Sequence, residues 1–302
     1  MPVSVGSQTK SETSGDWRSP RTAWGDPDLQ GMWSYASLTP LQRPTSVENR
    51  EFYTPEEAEA RNFAVTQDRL PRPGDVGAYN ALWFDRGTVS PDLRTSLIID
   101  PRDGLLPLKA ETRERTAAER AYRLDHPADS WLDRSNWDRC ITYHGVPPVS
   151  TGYNNTYQIF QAPGYVAVLV ENIHDVRIIP VDGRPRLDAD VRQWNGDSRG
   201  YWDGDTLVVE TSNFSAHTQH RFPSSVNTVA VERFRRVSAD VVDYRFTIRD
   251  PTVYTRPWTA HRMMPKLSDY VIYEYACHEG NYAMANILSG ERAEEKSASE
   301  KQ

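Results

Sequence analysis

The segment Val241–Arg249 alternates without a break: Val242, Tyr244, Phe246 and Ile248 interleave with Asp243, Arg245, Thr247 and Arg249. Only an extended chain turns every second side chain to the same side, so one face of this strand is core and the other faces water. Val229–Val237, just ahead of it, has the same character, and the short gap between the two makes them a β-hairpin. A lone hairpin is marginal in water, so the chain must bring further strands to its apolar face.

It has them. Tyr165–Val170 is an apolar run entered through the turn Pro163-Gly164, and Thr206–Thr211 follows the turn signal Trp202-Asp203-Gly204-Asp205. Trp258–Met264 and Val271–Cys277 read as two more strands. The spacing predicts about eight strands between residues 153 and 278, with tight turns and no βαβ alternation. The expected fold is therefore mainly β: an antiparallel, lipocalin-like (calycin-type) barrel around one apolar cavity. The 9 Trp, 15 Tyr and 21 Pro fit β-structure and loop-rich packing better than a helical bundle.

Outside the strands the chain divides by composition. Residues 1–20 read as a disordered leader, 21–140 as an irregular and helical region that wraps the barrel, and 141–296 as the barrel with a C-terminal helix. Thr54-Pro55-Glu56-Glu57 opens a helix that should run to about Asp68, and Lys109–Arg123 and Met284–Lys296 are expected helices. Arg94–Pro107 and Arg177–Leu187 carry similar phrases and are taken as two hairpins.

Charge and motifs exclude several classes. A net charge of −7 argues against a nucleic-acid partner. No apolar stretch approaches the roughly 18 residues of a membrane span, and the N-terminus lacks the apolar core of a signal peptide, so the chain as written reads as cytoplasmic. Neither a Gly-x-Ser-x-Gly elbow, a Walker loop nor a Gly-x-Gly-x-x-Gly fingerprint occurs, and no cofactor is expected. Cys140 and Cys277 have no zinc-ligand spacing; they are one disulfide in an oxidising compartment or two thiols in the cytosol. A homo-oligomer stays open.

Two polar clusters stand out against the apolar strands. Glu171, Asn172, His174, Asp175 and Arg177 follow Tyr165–Val170 directly. Read as one extended strand over Tyr165–Ile179, His174 falls on the side of Val166, Val168 and Val170, with Glu171, Asp175 and Arg177 opposite. His174 tuned by Asp175 is a candidate general acid or base. The second cluster, Tyr273 to Tyr282, places His278 and Glu279 at a strand end; a metal held by His174, His278 and Glu279 is a further alternative without a spacing signature. Tyr153, Asn154, Asn155 and Tyr157, with Glu171, Trp194, Tyr273 and Glu279, could orient a substrate, although Asx-rich turns supply such residues without function.

The phrases RTAWGDPDLQGMW, NIHDVRIIPVDGRPRL, RQWNGDSRGYWDGDTLVVETSNF, DPTVYTRPWTA and YEYACHEGNYAMANIL resemble a large, uncharacterised bacterial family over nearly the whole chain from Arg21 to about Glu295. Many members of that family begin with a secretion signal, so the resemblance implies a periplasmic alternative and, with export, a Cys140–Cys277 disulfide. In style the β half is similar to lipocalin-like barrels such as carotenoid hydratases and pericyclase-type cyclases. The leading expectation is a cofactor-independent lyase, hydratase or isomerase acting on a hydrophobic small molecule, a terpenoid or aromatic, with His174, Asp175, His278 and Tyr153 as catalytic candidates. The alternative is a non-catalytic lipocalin-like carrier.

Overall fold

In the computed structural model, residues 17–67, 81, 84–143, 146–173 and 175–300 are described. Among the described residues ten strands form two antiparallel sheets, and the fold is mainly β. The first sheet has the order β1 (Gly31–Ser34), β3 (Thr156–Ala162), β4 (Tyr165–Val170), β5 (Val176–Pro180). The second runs β2 (Ile98–Asp100), β10 (Trp258–Pro265), β9 (Val241–Arg249), β8 (Val229–Ser238), β7 (Thr206–Ser212), β6 (Asp197–Asp203). The sequence-expected hairpin is β8–β9, with Phe234 opposite Tyr244 in register. Along β9, Val242, Tyr244, Phe246 and Ile248 are buried while Arg245 and Arg249 are exposed.

The two sheets share one core. Trp33, Tyr157, Ile159, Val168 and Ile179 of the first meet Val209, Phe234, Phe246, Trp258 and Met264 of the second. Their edges also approach. Past the end of β10, Lys266 bridges to Trp33, and Leu267 N–H donates to the Met32 carbonyl at 2.9 Å. At the other side β5 lies beside β6. Gly200 makes that approach close: a Cβ there would stand 2.9 Å from Val181 Cγ1 and 3.1 Å from Ile179 Cγ2.

Among the described residues three α-helices lie outside the sheets. Helix α1 (Pro55–Ala64) opens at the expected N-cap Thr54, which the structure shows in a capping box: Thr54 Oγ1 accepts from Glu57 N–H at 3.2 Å and Glu57 Oε2 accepts from Thr54 N–H at 2.9 Å. It stops short of Asp68, which lies outside the described residues; the Thr66 hydroxyl bonds back to the Phe63 carbonyl at 2.8 Å and caps the last turn. Helices α2 (Ala110–Asp125) and α3 (Ala283–Ser299) fall where the sequence places them.

Four expected elements differ. Neither Arg94–Pro107 nor Arg177–Leu187 is a hairpin, because β2 spends its ladder on β10 and β5 spends its own on β4. Val271–Cys277 is no strand: it joins no ladder, and Val271 and Tyr273 are exposed. Tyr165–Ile179 is not one strand but the hairpin β4–β5, closed by Val170 N–H to the Asp175 carbonyl at 2.9 Å, with Ile173 at φ 59°. The turn resets the alternation, so Arg177 is buried beside Ile179 while Val176 and Ile178 face out. No helix among the described residues is long and apolar enough to cross a membrane.

Candidate functional site

Among the buried charged side chains on the strands are Arg177 on β5, Glu232 on β8 and Arg262 on β10. Arg177 and Glu232 form a bidentate pair at 2.5 and 3.2 Å, and the Tyr244 hydroxyl donates to Glu232 at 2.7 Å. Burial works against the charge on Arg177, but Glu232 outweighs it and raises the arginine's pKa. Ser198 and Thr211, 2.8 Å apart, lie 3.4 Å from the same guanidinium.

Arg262 has a different environment. Its Nη1 donates to the Tyr35 carbonyl at 2.6 Å, its Nη2 reaches the Pro148 carbonyl at 3.5 Å, and its Nε has no partner among the described residues. Burial pushes its pKa down. Tyr157 is fully buried, stands edge-on to Tyr35 at 5.0 Å between centroids, and its hydroxyl makes no hydrogen bond among the described residues. Burial first, and then the charge of Glu232, push that phenol up. Charged and phenolic side chains therefore stand among the core-facing positions of the two sheets.

The β4–β5 turn caps one end of this interior. Glu171 is 4% exposed; Oε1 accepts from the Tyr270 hydroxyl and Oε2 has no partner among the described residues. Burial and the bond to Glu171 push Tyr270 above the usual phenol range. Asn172 is 1% exposed, and neither atom of its side-chain amide has a partner among the described residues. Asp175 accepts from the Thr142 hydroxyl at 2.7 Å. His174, between them in sequence, lies outside the described residues.

The other sequence candidates are scattered. Asn155 is structural: its amide donates to the Asp85 and Thr151 carbonyls at 2.7 and 3.0 Å and accepts from Thr151 N–H at 2.8 Å. Asn154, at φ 55°, offers its carbonyl to the Tyr35 hydroxyl at 3.2 Å, and Tyr153 is half-buried beside it. Trp194 is half-buried, 6.4 Å from the His217 ring. Tyr273, His278 and Glu279 are exposed on the tail after β10. Cys277, in the same tail, is disulfide-bonded to Cys140. Among the described residues, the acidic and histidine side chains close enough to share a metal are Asp129, Glu291 and Glu295, not His278 or Glu279.

A cleft of about 1120 Å³ opens between segment 131–143 and the β7–β8 loop. Thr142 lines it, one hydrogen bond from Asp175. His220 lines it too, its ring edge-on to Phe214 (4.7 Å) and stacked on Phe222 (5.1 Å), with Nδ1 2.9 Å from Ser224 Oγ. Burial pushes this imidazole down to about 4, so it is neutral at pH 7.

Glu232 and Arg262 are the residues the sequence reading missed. Their signal was present: Glu232 shares parity with Ala230 and Phe234, and Arg262 shares parity with Trp258, Ala260 and Met264. A charge on an apolar stripe is a buried charge. No family model, curated protein or solved structure matches the chain.

Proposed function

We propose that the protein is a cofactor-independent acid–base enzyme, a lyase, hydratase or isomerase, acting on a small molecule with a hydrophobic body. The observation that carries this is the β4–β5 turn: a buried carboxylate oxygen of Glu171 and both amide atoms of buried Asn172 lack partners among the described residues. Orphaned buried polar groups cost about 1–3 kcal/mol each and are rare enough in folded proteins to call for a role. A substrate seated against the turn would satisfy them, with the amide orienting it and Glu171, or His174 with Asp175, moving the proton. In this reading the edge contacts of the two sheets close a lipocalin-like barrel, and the site lies at its end. The disulfide supports an oxidising compartment, the periplasmic alternative.

The test is kinetic. On whichever member of a terpenoid and aromatic panel the protein converts, Glu171→Gln and His174→Ala should each lower turnover by about 100-fold or more, with the urea midpoint unchanged. Full turnover in both variants would remove the turn from the mechanism. The carrier reading draws on the cleft beside Asp175, and it predicts retention of a ligand that is never converted.

A further inference from the structure

The cleft between segment 131–143 and the β7–β8 loop is basic on an acidic protein. Five arginines and three carboxylates line it, whereas the whole chain carries a net charge of −7. The three carboxylates are already engaged. Asp138 pairs with Arg134 at 3.0 Å, and Glu119 lies between Arg115 at 3.6 Å and Arg123 at 4.0 Å. Asp133 accepts from the backbone and hydroxyl of Ser130 at 2.8 and 3.0 Å. Arg139 and Arg221 are left over, with no ion-pair partner among the described residues.

Both of these arginines lie over aromatic rings. The Arg139 guanidinium is 4.5 Å from the centroid of Trp131, and that of Arg221 is 5.6 Å from the centroid of Tyr143. Tyr143 in turn lies against Trp137, 5.0 Å between centroids with the planes 30° apart. A guanidinium resting on a ring uses its π-face and keeps its N–H edge for an acceptor in its own plane. The aromatic pair offers a surface on which a flat ligand stacks.

We propose that this cleft binds a planar aromatic or conjugated carboxylate, stacked on Trp137 and Tyr143 with its anionic end held by Arg139 and Arg221. A carboxylate matches the two-pronged edge of a guanidinium, and a flat conjugated body matches the rings. Thr142, on the cleft wall, donates to Asp175, so the ligand would lie one side chain from the β4–β5 turn. The proposal thus names the substrate class for that turn. It rests on the acid–base reading for what becomes of the ligand, and not for its binding.

Calorimetric titration of the full chain with naphthoate, and separately with neutral naphthamide, tests it. Naphthoate should bind saturably and the amide about tenfold more weakly or not at all, because a hydrogen bond to a charged group is worth about that factor. Arg139→Gln and Arg221→Gln should each weaken naphthoate by about tenfold, and more salt should weaken it further. Naphthoate without saturable binding, equal binding of acid and amide, or indifference to both arginine variants would overturn the proposal. Naphthoate binding that follows the arginines, with no conversion of any aromatic carboxylate, would keep the cleft and sink the acid–base reading.

Discussion

Replacing Glu232 by Leu would leave the Arg177 guanidinium, 4% exposed in its side chain, without a counter-charge. Removing one partner of a buried ion pair costs about 3–5 kcal/mol, because the survivor's desolvation is no longer offset. The Tyr244 hydroxyl, which donates to Glu232 at 2.7 Å, would lose its acceptor as well and add about 1 kcal/mol. The expected loss, about 4–6 kcal/mol, is comparable with the whole stability of many domains. In a thermal melt it corresponds to a fall on the order of 10–20 °C for a chain of this size. Adding Arg177→Met to Glu232→Leu removes the stranded charge and should recover most of the loss, since a well-packed apolar pair replaces a buried ion pair at little cost. Urea unfolding at pH 7, followed by circular dichroism, measures both variants. Should the Leu variant fail to fold, Tyr244→Phe gives a smaller loss of about 1–3 kcal/mol in the same assay. A single variant within 1 kcal/mol of wild type, or a double variant no better than the single, would refute this account of the interior.

His220 gives a pH prediction. Its folded pKa is held down to about 4 by burial, below the unfolded value of 6.5, so the unfolded chain binds the proton first. The stability it contributes is complete above about pH 6.5 and is lost as the pH falls toward 4. The residue keeps some exposed surface, so the loss should be roughly 1–3 kcal/mol, and His220→Phe should remove that slope from urea midpoints measured between the two pH values. Reduction of Cys140–Cys277, 137 residues apart, frees the unfolded chain from a long loop and should lower the unfolding free energy by about 2–5 kcal/mol; identical urea curves with and without reductant would contradict this. Gly200→Ala drives a Cβ to 2.9 Å from Val181 and should cost about 1–3 kcal/mol, whereas an unchanged melt would mean that β5 and β6 are not pressed together.

The hairpin β8–β9, the capped start of α1 and the mainly β class were legible because each rests on a local pattern: period two, a Thr-Pro-Glu-Glu start, turn residues between apolar runs. What the sequence hid was non-local. Tyr165–Ile179 looks like one strand because no Gly or Pro interrupts Glu171–Asp175; the reversal is made by Ile173 in a left-handed conformation that its side chain gives no reason to expect. β2 was legible as a strand but not as the neighbour of β10, since pairing depends on which edge is free after the rest has assembled. Glu171 and Asp175 were singled out from their density on an apolar segment, and the structure brings them to one turn. Tyr270 and Thr142, which bond to them from 99 and 33 residues away, leave no trace in the local pattern.

The central claim is that the β4–β5 turn moves a proton on a bound small molecule. Its most direct measurement is mass spectrometry of a terpenoid and aromatic-carboxylate panel after incubation with the protein in deuterium oxide. A lyase, hydratase or isomerase of this kind must leave solvent deuterium in a compound, or add or remove water, and Glu171→Gln should suppress that change. A panel in which compounds bind the protein yet return with unaltered masses would contradict the claim and leave a binding protein.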